Sequence, residues 1–464
     1  MKNKLFKKIL TFAILCCMGL CLVACTGDIK TPDSNAEIIG NGGLAVQKGN
    51  YLYYVNGYNA STTITKDNRK KDDYVRSGLY VAKVDDNGNI ITDAKGNATY
   101  NKRMVGNIVG FEKTDLRIYG DYLYYTTPCT NLNSDGGSVA NTLIKFCRIR
   151  LDGKKQTTLY TSSTDSVQYN YYYDGSRVNL ILLDDSKLIN VTTDGATTID
   201  TDVTSVALPE VVGNQMKNDS YANIFYTRSL ADDDNVDAGN KLMRLNAKTN
   251  KTQIIAMTGD SWTAKGVTSK YAYVGLGNYI YKISLSDLAN GQTITSAYIL
   301  ANKATSYNYS NVYYLVNDNS NSVTGLIVVR DNNVYFLEDG STSEQAVVEN
   351  ATIISIAGGH IYYKDSNNNR FSRINIKGSE KTVDILYSGD MTATFDSAHI
   401  DVQTTYNGSV NNIYMLLEHT NDNGSSTYLY NVNLNERDDE NKFVVNHVGI
   451  YESADKPKKE EDDK

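Results

Sequence analysis

Proline is nearly missing from this 464-residue chain, with four in all, and tryptophan occurs once, at Trp262. A single tryptophan excludes any architecture whose repeats dock through one tryptophan each. Histidine is equally scarce, and His360, His399, His419 and His447 lie far apart in sequence. Neither they nor the cysteines show metal-ligand spacing, so we read the histidines as structural. A basic excess is lacking too: 46 lysines and arginines stand against 53 acids, a net charge of −7, which argues against a nucleic-acid partner. No Gly-x-Ser-x-Gly elbow, His-Glu-x-x-His motif or phosphate-cradling glycine loop occurs. Convincing amphipathic helices are absent as well.

What is present starts with the leader. Lys2, Lys4, Lys7 and Lys8 precede an apolar run from Ile9 to Ala24, and Leu22-Val23-Ala24-Cys25 closes it. The run falls short of the roughly twenty residues a membrane-crossing helix needs, which favours cleavage. The tetrad resembles the lipobox of bacterial lipoproteins. That resemblance implies a signal peptide over residues 1–24, a diacylglyceryl anchor on Cys25, and the extracytoplasmic face of a cell membrane as the address. Removing four lysines with the leader leaves 42 basic against 53 acidic residues, net −11. Residues 25–37 then read as lipidated cysteine and flexible tether, and residues 452–464 as a disordered charged tail. Cys129 and Cys147 remain. They either form a disulfide, closing a loop worth about 3 kcal/mol, or pack as free thiols.

Residues 38–451 read as one all-β domain. The chain holds 36 tyrosines and 34 glycines. Asn-Gly or Asp-Gly pairs recur at Asn56-Gly57, Asn87-Gly88, Asp152-Gly153, Asp194-Gly195 and elsewhere, supplying the positive φ of tight hairpins. Two patterns alternate. One is an unbroken, tyrosine-rich run, as in Tyr51-Leu52-Tyr53-Tyr54, Tyr122-Leu123-Tyr124-Tyr125 and Ile361-Tyr362-Tyr363. The other alternates apolar with polar: Phe146-Cys147-Arg148-Ile149-Arg150-Leu151-Asp152-Gly153 aligns with Phe371-Ser372-Arg373-Ile374-Asn375-Ile376-Lys377-Gly378. A strand covered on both faces reads as the first and a strand nearer the rim as the second.

Repeats of this length, each a strand meander, indicate a β-propeller. Units begin near Gly43, Asp115, Val167, Val206, Trp262, Ser306, Thr352 and Phe395, which predicts eight four-stranded blades. Seven is the alternative, because the third and sixth units lack the tyrosine pair. The pattern resembles the tyrosine-rich propellers of exported bacterial proteins, distantly TolB-like and YWTD-like. The Trp-Asp dipeptide of WD repeats and the Ser-x-Asp-x-Gly box of sialidases are missing.

Long connections between second and third strands are expected at Asn56 to Arg76, Thr130 to Asn141 and Arg228 to Asn240, leaving one face elaborated and the other trimmed. Tyr58, Tyr74 and Tyr307, in or near loops, are the candidate binding residues, since an exposed ring can stack on a sugar. The segments 131–136 and 232–237 space oxygen ligands as calcium loops do, but neither ends in the required glutamate, so no metal ligand is nominated. Catalytic carboxylates would have to come from inner strands, where Asp115, Asp165, Glu210, Asp396 and Asp401 are nearest. The expectation is a lipid-anchored, noncatalytic binding or scaffold module for an envelope protein or glycan. The alternative is a glycoside hydrolase or lyase with carboxylates in the funnel.

Overall fold

The computed structural model describes residues 29–40, 42–55, 63–64, 78–94, 98–106, 115–132, 138–173, 176–208, 224–230, 239–247, 249–256, 262–267, 271–276, 279–284, 287, 299–302, 312–314, 325–330, 332–338, 343–365, 370–376, 383–388, 393–404, 410–421 and 424–448. The elements in this part are strands, arranged as eight antiparallel sheets of four consecutive strands, a β-propeller of eight blades. The first strands are Ala45–Lys48, Arg117–Tyr119, Gln168–Tyr173, Val203–Ala207, Trp262–Val267, Val312–Tyr314, Ala351–Ala357 and Ala393–Thr404. Each expected start lies in or beside its strand except Ser306, which precedes Val312–Tyr314.

Blade three shows why the count is eight. Its second strand, Val178–Asp184, has no tyrosine pair, yet Leu180, Ile181 and Leu182 are fully buried in the places tyrosines take elsewhere. Leucine and isoleucine cover both faces of a buried strand as well as tyrosine does. Tyrosine adds a hydroxyl that reaches the sheet edge. Tyr54 Oη accepts from Asn101 Nδ2 at 2.6 Å, and Tyr226 Oη donates to Asp200 Oδ2 at 2.8 Å. Apolar clusters fill the spaces between adjacent blades. Tyr53, Val81, Leu123 and Ile149 join blades one and two, and Tyr172, Ile181, Ile224 and Tyr226 join three and four.

The ring closes without exchanging a strand: blade one is built from the front of the chain and blade eight from Ala393 to Val448. Leu44, Leu52, Tyr54 and Tyr80 of blade one pack on Tyr414, Leu416, Leu429 and Val448 of blade eight. At the rim Asn446 Nδ2 donates to Asn89 Oδ1 at 3.0 Å.

A meander gives the ring two unlike faces. The hairpin face carries the turns joining first to second and third to fourth strands, and the link face carries the second-to-third turns and the blade-to-blade links. The expectation of one trimmed face is corrected. Residues 208–223 join the first and second strands of blade four, and 285–298 the third and fourth of blade five, so long connections leave from the hairpin face too. Strand parity decides the face, and lengthening a surface connection costs little on either. On the link face, Thr63–Ile64 of the first long connection pairs with Ser138 and Val139. Those residues extend the hairpin of Tyr122–Leu132 and Ser138–Arg150, so most of the expected insertion in blade two is strand.

The stretch expected to be a flexible tether, residues 25–37, is the second correction where it is described, from Ile29 onward. Instead of a free tether, the chain from Ile29 lies on the ring, because Ile29 finds an apolar seat between blades one and two. Ile38–Ile39 then pairs antiparallel with Gln47 and Lys48, adding a fifth, innermost strand to blade one.

Candidate functional site

The innermost strand and the first strand of blade one are joined by a glycine-rich turn, Gly40 to Leu44, and this turn meets polar groups of blades eight and two. Gly40, Gly42 and Gly43 have φ of 76°, 109° and 126°, where side chains are strained. Space forbids a side chain as well. A Cβ on Gly42 would come within 3.0 Å of Asp115 Oδ1, and one on Gly43 would fall inside the Asp401 carboxylate. Gly42 N donates to Leu116 O at 2.9 Å and Leu116 N to Gly43 O at 3.0 Å, so the turn is bound to the entry of blade two.

On the other side lies Asp401, from the first strand of blade eight. Its Oδ2 accepts from Leu44 N at 3.0 Å and from Ala45 N at 3.4 Å. Gln403, two residues on and therefore on the same strand face, donates through Nε2 to Ala45 O. Burial pushes the Asp401 carboxyl up to about 7, with a further push from Asp115, against the pull of the Ala45 and Leu44 N–H groups and the Gln403 amide. In blade two, Arg117 Nε meets Asp115 Oδ1 at 2.8 Å and its guanidinium lies 5.5 Å from the Tyr171 ring of blade three. Burial works against the Arg117 charge, but Asp115 and Tyr119 outweigh it, and its pKa is raised. Burial raises the phenols of Tyr169, Tyr171 and Tyr414 too. The Tyr171 and Tyr414 hydroxyls are buried with no hydrogen-bond partner.

Two of the five acids read as nearest the inner strands, Asp115 and Asp401, thus face one glycine turn. A carboxyl near pKa 7 beside a second carboxylate is what acid–base chemistry uses. Here, however, Asp401 holds backbone N–H groups of blade one and Asp115 holds Arg117, and both are more than nine-tenths buried. The arrangement clasps the ends of the ring. Asp165 is exposed on the link between blades two and three, Glu210 lies outside the described residues, and nothing is described of the Asp396 side chain.

Cys25 and the candidate binding residues Tyr58, Tyr74 and Tyr307 lie outside the described residues, as do 133–136 and 232–237 of the two oxygen-rich segments. Among the described residues no group of three or more metal-ligating side chains is assembled. Cys147 is a buried free thiol, 3.7 Å from Thr158 Oγ1. The pairing with Cys129 is not made. Across the hairpin Cys147 faces Tyr125, and Cys129 comes four residues later, at the bulge between Pro128 and Thr130. Four residues of strand span roughly 13 Å, beyond the Cα separation of about 7 Å that a disulfide tolerates. His360 Nδ1 bonds Gly358 O at 2.8 Å and His447 stacks edge-on against Tyr430, both structural uses. Sequence reasoning missed Gly42, Gly43, Arg117 and Gln403. The run Gly40-Asn41-Gly42-Gly43 was the available signal.

No protein-family model matches the chain, and no curated protein matches it. Solved structures do. TolB from Acinetobacter baumannii is similar over 66% of this chain and 79% of its own, at 12% identity and TM-score 0.28. The β-propeller domain of the Trilobed protease from Pyrococcus furiosus, with its open velcro topology, is similar over 75% and 98%, at 8% identity and TM-score 0.36. The dihydro-heme d1 dehydrogenase NirN is similar over 83% and 73%, at 10% identity and TM-score 0.43. At such identities and scores nothing about ligand or reaction passes to this chain.

Proposed function

We propose that this propeller is a noncatalytic binding or scaffold module, held by lipid on Cys25 at the extracytoplasmic face of a cell membrane, with an envelope protein or glycan as partner. The observation that carries the reading is the engagement of Asp401 and Asp115. Among the described residues, the inner-wall acids Asp401 and Asp115 hold Leu44, Ala45 and Arg117 through Asp401 Oδ2 and Asp115 Oδ1, so their work is to hold the scaffold. Binding then falls to connections carried on a rigid ring. The hydrolase alternative needs an acid free to reach a glycosidic oxygen and a second carboxylate beside it. Asp401 and Asp115 do not meet that need.

The test is a pull-down from detergent-solubilised envelope, with the Cys25→Ala form as the unanchored comparison. Recovery of one specific protein or glycan by the folded ring supports the proposal. Turnover of a glycan without a retained partner sinks it.

A further inference from the structure

We infer that the anchored ring stands with its hairpin face at blades one and two against the bilayer and its link face outward. This rests on the lipid anchor proposed above. Its own support is the course of the chain between Ile29 and Ile39, which is fastened at successive points to turns of the hairpin face.

Ile29 belongs to the apolar cluster that also holds Tyr51, Tyr53, Cys147 and Leu151, and its Cδ1 would lie 2.6 Å from a Cβ added to Gly153, in the turn between third and fourth strands of blade two. Lys30 N donates to Tyr100 Oη at 2.8 Å, at the end of the corresponding connection of blade one. Asp33 makes a tight turn, accepting from Asn35 N at 2.8 Å through its carboxylate and from Ala36 N at 3.1 Å through its carbonyl. Gly49 N, in the turn between first and second strands of blade one, then donates to Glu37 O at 2.9 Å. The turns carrying Gly153, Tyr100 and Gly49 open on the same face. Lys48 ties the two blades together there, its Nζ donating to Gly120 O at 3.0 Å.

Only Thr26, Gly27 and Asp28 separate Cys25 from Ile29. Four residue steps of extended chain span at most about 14 Å. The link face lies on the far side of strands roughly 20 Å long, so the lipid cannot reach past the ring's edge to bring that face down. The bilayer is therefore the partner of the hairpin face around Gly153, and the link face, with the joined connections of blades one and two, is presented outward.

The experiment uses the full-length, acylated protein in phosphatidylcholine vesicles doped with a headgroup-labelled acceptor lipid. Donor fluorophores are placed through Lys154→Cys on the hairpin face and Asp165→Cys on the link face, both exposed positions of blade two or its link. The parent protein controls for the native cysteines. With the faces roughly 20 Å apart, transfer from position 154 should exceed that from 165 at least about twofold. Equal transfer, or more from 165, overturns the orientation while vesicle flotation upholds the anchor. Loss of flotation overturns the anchor and the orientation together. A second variant, Ile29→Asp, places a carboxylate in the apolar seat and should release the segment, with circular dichroism and flotation unchanged. The difference between the two positions should then collapse, and its persistence would overturn the docked segment as its cause.

Discussion

Asp401 offers the sharpest test of how the ring is closed. Its folded pKa, about 7, stands roughly three units above the 3.9 of an unfolded aspartate. Below about pH 4 both states hold the proton and its contribution is fully present. Between about 4 and 7 the unfolded chain has lost its proton and the folded ring has not, so stability falls as pH rises, and above about 7 the loss is complete. At 1.36 kcal/mol per unit the loss comes to about 4 kcal/mol. Asp401→Asn keeps an oxygen to accept from Leu44 N and removes the titration. Urea unfolding followed by far-ultraviolet circular dichroism at several pH values between 4 and 8 measures both proteins. Carboxylates with lowered pKa, such as Asp184 with its ring of donors, pull the opposite way, but they are common to both and cancel in the difference. The variant should match the parent near pH 4 and exceed it by up to about 4 kcal/mol at pH 8. A difference that does not change with pH would refute the burial of a titrating carboxyl at the closure.

Four further outcomes follow from the packing. Gly195→Ala, at φ 131° with nothing within 4 Å of the new Cβ, should cost only the backbone strain, about 1–3 kcal/mol. Gly43→Ala, at φ 126° and against Asp401, should cost at least about 1 kcal/mol more by denaturant midpoint, a clash of the kind that destabilises cores. Cys147, buried and with its thiol pKa raised by burial, should resist a thiol reagent in the native protein and react in denaturant. Failure to react there would restore the disulfide. Tyr226→Phe removes the hydroxyl that donates to Asp200 and should lower stability by about 1 kcal/mol in the same unfolding assay.

The repeat was legible because a blade is a local object. Runs such as Tyr51-Leu52-Tyr53-Tyr54 and alternations such as Phe371 to Ile376 report burial on two faces or one, and each of a blade's four strands pairs with the blade's next strand along the chain. The chain alone therefore determined the all-β class and left eight blades or seven; the structure decided for eight, because aliphatic side chains in blades three and six do the work of tyrosine. The clasp was not legible in that way. Asp401 and Leu44 are 357 positions apart, and no periodicity connects them. Their meeting depends on the ring coming full circle. The same holds for Ile29, read in isolation as part of a polar tether, since its apolar seat exists only once blades one and two have packed. Cys129 and Cys147 show the reverse case: sequence separation allowed a bridge, and the hairpin register excluded it. Local alternation is settled by which side of a strand meets water, whereas closure, docking and register are settled by where distant strands end, and only the assembled ring decides that.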